Sequence, residues 1–312
     1  RVYQRVHFRK NTNVSCSESK TQFCDPKSYV KAALYIHRAN HSQFNTVWGI
    51  YDFPWPYHIF SNTAAHLSGE EQRLIAQTYV SAFLDSTLQG DKRYVQLFRD
   101  YRLIEHWLPK TAYISRFQDS TFRAIANFDE DIDPETATVA GGRIIGKNLS
   151  HWHEEDIDYH YYLPYGSRSN RVVSISWDEQ EENTPFFGFL LPEKGVRTWK
   201  LRPTNKFVFS IACPDQQMPP DLTIEMIDSS GKVSRLGLSD VYPLKPPLHS
   251  RLTKISFLEE PSPVMILQTV AIPLSRFLPA KSSLDLAKLR EVNFRFDNGG
   301  SGKVLLDDIG FD

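Results

Sequence analysis

From about residue 120 to its end, the chain is a succession of short apolar runs separated by Pro, Gly, Asn and Asp. That texture constrains the fold more than any single motif. Runs at 123–128, 143–145, 159–163, 171–177, 186–191, 196–201, 206–211, 222–227, 232–238, 252–255, 265–272, 291–296 and 303–309 have strand length. Turn residues, not helical segments, lie between them. A parallel βαβ unit needs a helix in each crossover, so the pattern predicts an antiparallel sandwich. Asp228-Ser-Ser-Gly231 and Asp297-Asn-Gly-Gly-Ser-Gly302 read as hairpin turns. Val292, Phe294 and Phe296 alternate with Asn293 and Arg295, which gives that run one apolar face.

Residues 1 to about 110 follow a helical period instead. Ser68 and Glu71 stand at capping-box spacing, where each side chain satisfies a backbone N–H of the first helical turn. Behind them Ile75, Tyr79, Val80, Phe83, Leu84 and Leu88 recur at threes and fours, as one apolar stripe. Gly90 suits the position after the helix, where positive φ is needed. A second helical pattern covers 92–103. Upstream, the apolar run 32–36 enters a polar turn carrying Asn40 and His41, and the prolines of Trp48–Tyr57 exclude a regular element there. The expected layout is therefore a first region at 1–110, a linker at 111–121 and a sandwich at 122–312.

A net charge of −1 gives no electrostatic reason to expect nucleic acid or an anionic membrane surface. No apolar stretch of about 18 residues is present to span a bilayer. Cys16 and Cys24 lie in a polar stretch, as a local disulfide of an oxidising compartment or as two thiols. Cys213 follows an apolar run and reads as a small buried residue. The opening Arg1–Val6 reads like the middle of a fold, which leads to the expectation that the chain is the C-terminal part of a longer protein.

The segment Lys31-Ala-Ala-Leu-Tyr-Ile-His-Arg-Ala-Asn-His41-Ser-Gln-Phe-Asn, with the helix carrying Glu70-Glu-Gln-Arg and Ala82-Phe-Leu, resembles the C-terminal end of a secreted bacterial α/β-hydrolase. The likeness is to the esterase and platelet-activating-factor acetylhydrolase group, and it covers about 100 residues. It implies that His41 is the general base of a serine hydrolase acting on a carboxylic ester or similar acyl substrate. No Gly-x-Ser-x-Gly occurs in the chain, so the nucleophile and the acid would come from a missing N-terminal part of the hydrolase domain, and the chain alone lacks the triad. The same resemblance implies a secreted or periplasmic protein. It also implies that residues 1–110 alone would leave a strand edge and the helix stripe uncovered.

Residues 289–297 with 302–311, and the opening Ala126-Asn-Phe-Asp-Glu-Asp-Ile-Asp133, resemble the last and first strands of galactose-binding-like jelly-roll domains, among them many carbohydrate-binding modules. Two expectations follow. A structural Ca²⁺ would draw its oxygen ligands from Asp129, Glu130, Asp131 and Asp307; the plainer alternative is a solvated acidic turn. A glycan would stack on aromatic rings, with Tyr159 and Tyr161 on one strand face, while most other Trp and Tyr residues read as core. In that alternative the chain is a non-catalytic β-sandwich binding module for carbohydrate or a protein surface. His151-Trp-His153-Glu-Glu-Asp156 lacks the spacing of a helical zinc pair and reads as a polar loop.

Overall fold

The computed structural model describes residues 29–129, 133, 135–157, 170–178, 183–214, 220–249, 253–255, 266–280, 282–298 and 300–312. They fall into two compact units. The larger takes its described residues from Arg1–Lys31, Gln118–Pro247 and Leu267–Asp312, and the smaller consists of those in Ala32–Phe117 and Leu248–Ile266.

The larger unit is a β-sandwich of two antiparallel sheets. One has the strand order β10(Val233–Gly237), β9(Thr223–Asp228), β12(Leu289–Arg295), β7(Phe186–Leu190), β4(Arg143–Lys147). The other runs β11(Gln268–Pro273), β8(Lys206–Ala212), β13(Gly302–Phe311), β6(Asn170–Trp177), β5(His151–Ile157), with β3(Arg123–Ala126) paired to the end of β13. The first and last sandwich strands therefore do meet, Ala126 opposite Ile309. Alternation sets what faces inward. Ile144, Phe187, Phe189, Ile224, Met226, Val292 and Phe294 of the five-stranded sheet meet Val173, Ile175, Phe207, Phe209, Ile211, Val304 and Leu306 of the other in one core. Phe294 lies with its ring centroid 5.0 Å from Phe209 and 6.0 Å from Phe207.

Asp228 staples the β9–β10 turn. Its carboxylate accepts from Ser230 N, Ser230 Oγ, Lys232 N and Asp285 N at 2.6–3.1 Å, and Gly231 supplies the positive φ. Burial raises its pKa, but these hydrogen bonds outweigh that and bring it down to about 2. Cys213 is buried, and burial pushes its thiol up to about 12, as expected of an inert core residue.

Several sequence expectations need correction. The run at 196–201 lies mostly in a helix, α3(Glu193–Trp199), which follows Pro192 and ends at Lys200 in the left-handed region. Apolar spacing in so short a piece does not distinguish strand from helix. Asp297–Gly302 is no hairpin, because β12 and β13 belong to opposite sheets and the segment crosses between them. His151–Asp156 is not a loop but most of edge strand β5. Of the run at 252–255, the described residues 253–255 form an isolated bridge, Thr253 with Ser61, and no strand. The run at 159–163 lies outside the described residues, as do Cys16 and Cys24.

A two-stranded sheet pairs β1(Val30–Ile36) with β2(Tyr113–Asp119), most of each strand belonging to the smaller unit, so the expected linker contains a strand. The pair runs antiparallel, with His37 N bonded to Ala112 O and Ser120 N to Tyr29 O. Helix α1(Gly69–Leu88) has the expected capping box, Ser68 with Glu71. The pattern at 92–103 resolves into a short α2(Val95–Arg99) flanked by 3₁₀ turns. The apolar stripe of α1 divides. Ile75 and Ala82 are buried and Tyr79 packs beside them, whereas Val80, Phe83, Leu84 and Leu88 are exposed. A stripe that wide exceeds what the small core can cover. That core is Leu67, Ile75, Tyr101, Ile104, Leu108 and Tyr113.

Candidate functional sites

In the sandwich, the strand register places three rows of side chains on the outward face of the five-stranded sheet. The middle row is Ile145, Gly188, Asn293, Glu225 and Arg235. One flanking row is Lys147, Phe186, Arg295, Thr223 and Gly237; the other is Arg143, Leu190, Glu291, Ile227 and Val233. The sequence alternation that buries Val292 and Phe294 is what turns Asn293 and Arg295 outward.

A polar network occupies the centre of this face. Glu225 is buried; its Oε2 accepts from Arg235 Nε at 2.6 Å and its Oε1 from Asn293 Nδ2 at 3.3 Å, with Arg295 Nη1 at 3.6 Å. Arg295 is also 3.6 Å from Asp297. Asn293 leans over Gly188, where any Cβ would collide with its amide oxygen. That oxygen and Arg295 Nε have no hydrogen-bond partner among the described residues. Around this centre Ile145, Phe186 and Leu190 are half-buried, and Arg143, Lys147 and Arg235 are exposed. Apolar patches beside donors and acceptors of fixed direction suit a polyhydroxylated ligand with apolar faces.

The outward face of the six-stranded sheet is different. Val172, Ser174, Ser210, Ala212, Thr269, Leu305 and Asp307 are all buried there. Of the expected calcium ligands, Asp307 is therefore buried, with its Oδ1 accepting from Asp308 N at 2.6 Å, and Asp129 is exposed with its N–H towards Asn127 Oδ1 at 3.4 Å. Glu130 and Asp131 lie outside the described residues, as do Tyr159 and Tyr161. Among the described residues no group of three or more His, Cys, Asp or Glu side chains is placed to hold a metal. On β5, His151 and His153 share a face with ring centroids 4.5 Å apart, and His153 Nε2 meets Glu155 at 3.2 Å. Trp177 is buried against Phe296, and Trp152 and Trp199 pack against Phe187 and Phe311.

In the smaller unit, the turn carrying His41 is held by buried amides. Asn40 Oδ1 accepts from Gln43 Nε2 and Gln72 Nε2, each at 3.1 Å; Asn40 N donates to Gln72 Oε1, and Asn40 Nδ2 to Ile50 O. Both glutamines also donate to Leu67 O. Asp52 accepts from His41 N at 2.9 Å and Ser42 N at 2.8 Å. Burial works against its charge, but these backbone N–H groups more than offset that and hold its pKa below the usual carboxylate range. His41 itself is exposed, its ring 5.0 Å from that of Trp48. The network uses the backbone of His41 and leaves its imidazole presented to solvent. Asn40, Gln43, Asp52 and Gln72 are roles the sequence reading missed; the only signal was an unusual density of amides around one histidine.

No protein-family model matches the chain, and no curated protein matches it. Solved structures with a similar backbone include an exo-beta-agarase, at 10% identity and a TM-score of 0.39 over 61% of this chain and 25% of that one, so the chain spans about a quarter of its length. They also include the family 11 carbohydrate-binding module of the cellulosomal cellulase Lic26A-Cel5E of Clostridium thermocellum, at 12% identity and a TM-score of 0.34 over 61% of this chain and 93% of that one. A family 30 carbohydrate-binding module of the cellulosomal cellulase Cel9D-Cel44B of the same organism aligns at 13% identity and a TM-score of 0.35 over 55% and 90%.

Proposed function

We propose that the sandwich unit is a carbohydrate-binding module whose ligand face is the outward face of its five-stranded sheet. The observation that carries this reading is the contrast between the two outward faces. On the six-stranded sheet Val172, Ser174, Ser210, Leu305 and Asp307 are buried, whereas the five-stranded sheet sets half-buried Ile145, Phe186 and Leu190 and exposed Arg143, Lys147 and Arg235 around the Glu225 network. Phe186 and Leu190 supply the apolar seat, and Arg235 and Arg295 supply the hydrogen bonds to hydroxyl groups, with Asn293 bracing Glu225 beneath them. Glu225 holds the two arginines in place.

Affinity electrophoresis of the 312-residue chain against a panel of soluble polysaccharides, including mixed-linked β-1,3-1,4-glucan and agarose, tests this. Retardation by at least one glycan is expected, with roughly tenfold weaker binding for Arg235→Ala, the loss of one charge-assisted hydrogen bond. Retardation by none of the panel would defeat the reading.

A second reading attaches to His41, whose turn is fixed by a buried amide network and whose imidazole is exposed to meet a nucleophile, with the carboxylate that orients a general base supplied by another segment. In this reading the chain belongs to a serine hydrolase whose nucleophile and acid come from another segment. Hydrolysis of a short-chain nitrophenyl ester by a protein that joins this chain to a serine-bearing segment should fall by several orders of magnitude in His41→Ala. Unchanged turnover would make His41 a structural residue.

A further inference from the structure

The charges on the outward face of the five-stranded sheet are sorted by burial. The side chain of Glu225, the central carboxylate, is 5% exposed, whereas that of its partner Arg235 is 57% exposed. The other carboxylates each have an arginine beside them: Glu291 lies 3.9 Å from Arg290, and Asp297 3.6 Å from Arg295. Arg143 and Lys147 have no such counterweight. Both are exposed on edge strand β4, and neither forms an ion pair among the described residues. A chain of net charge −1 thus presents a cationic surface here. The register sets these cations around the apolar seat. Lys147, Phe186 and Arg295 are cross-strand neighbours on β4, β7 and β12, so their backbones span roughly 10 Å. Arg143 stands opposite Leu190 in the same way.

We infer that the ligand of this face is an acidic polysaccharide, one whose sugar rings carry carboxylate or sulfate groups. The inference rests on the carbohydrate-binding reading above and narrows its ligand. Arg143, Lys147 and Arg235 are the exposed polar side chains of the three outward rows, and all are donors with no acceptor. A neutral sugar offers hydroxyl groups that both donate and accept, so such a rim uses half of their capacity. A carboxylate or sulfate only accepts, and guanidinium and ammonium groups form their strongest hydrogen bonds with such oxyanions. A pyranose lying on Phe186 has its rim between Lys147 and Arg295, where an acidic substituent would be met from either side. Nucleic acid also carries oxyanions, but unpaired bases need a succession of rings to stack on, and Phe186 is the one aromatic side chain in these rows.

The test is affinity electrophoresis of the full chain against two matched pairs: polygalacturonate with its methyl-esterified form, and carrageenan with its desulfated form. At about 0.1 M salt, at least one acidic member is expected to bind roughly tenfold or more tightly than its neutral counterpart, with the difference shrinking at about 0.5 M. The pair that shows it names the anion. Arg143→Gln/Lys147→Gln should lose most of that advantage; both side chains are exposed, so the variant keeps the fold, which far-UV circular dichroism verifies. Neutral members bound as tightly as acidic ones would overturn the inference and leave the carbohydrate reading standing, whereas binding of no glycan at all would defeat both. The full acidic advantage kept in the double variant, or single-stranded DNA bound as tightly as the acidic glycan, would also overturn it.

Discussion

The sandwich and the smaller unit hold themselves together by different means. The sandwich buries its large apolar side chains in one contiguous core, and its outward polar groups interact laterally across strands. The smaller unit has a core of six buried residues, and all but two of the exposed large hydrophobics among the described residues, Tyr29 and Val233, lie in it. Its order comes instead from buried amides, with Asn40 and Gln72 at the centre. Apolar burial is non-directional and gives global stability, whereas amide networks give little net stability but fix geometry. One region is thus built to endure and the other to present particular groups.

The largest effect that would sharpen this contrast is in the sandwich core. Phe294→Ala should cost about 3–5 kcal/mol in chemical denaturation, with near-ultraviolet circular dichroism following the loss of aromatic packing. The same truncation at Ile75 should fall at the low end of the aliphatic range, about 2 kcal/mol, because the small core can relax around it. Equal costs would mean the two cores are equally tight. Next, Asn40→Ala should speed amide exchange at His41 and Ser42 while leaving the sandwich amides unchanged, at a cost of about 1–3 kcal/mol for the stranded glutamine amides.

A pH-dependent difference comes third. The folded-state pKa of Asp228 is depressed to about 2 from 3.8, so its contribution is present above the unfolded value and lost as pH falls through the folded one. Asp228→Ala should therefore lower stability by about 2 kcal/mol at neutral pH, with the gap to wild type narrowing between pH 3.8 and about 2. A gap constant across that range would show that the carboxylate charge contributes nothing there. The smallest effect is at Tyr79, whose hydroxyl is buried without a hydrogen-bond partner among the described residues and whose pKa burial raises. Tyr79→Phe should leave the melting temperature unchanged or raise it by about a degree or two.

Where the sequence was informative, the physics was local. Ser68 and Glu71 announced the helix start, Asp228–Gly231 announced its turn, and the alternation from Val292 to Phe296 set which face of β12 is buried. Where it misled, the deciding contacts were distant. Nothing within Asp297–Gly302 says that the chain changes sheets there. Nothing in the α1 stripe says that Leu84 and Leu88 stay exposed, because the helical period reports apolar width and not what covers it. The sandwich ligand face was legible only in part. Arg295 and Asn293 could be placed opposite the apolar face, but their meeting with Glu225 and Arg235 depends on a strand register that no short-range signal encodes.

The most direct test of the account is amide chemical-shift mapping of the whole chain, titrated with a glycan that retards it. The account predicts perturbations clustered on β7, β12 and β9, at Phe186, Asn293, Glu225 and their row neighbours, with the amides of 44–60 unmoved. Perturbations confined to Trp48, Trp55 and Tyr57 would contradict it and would move carbohydrate recognition to the smaller unit.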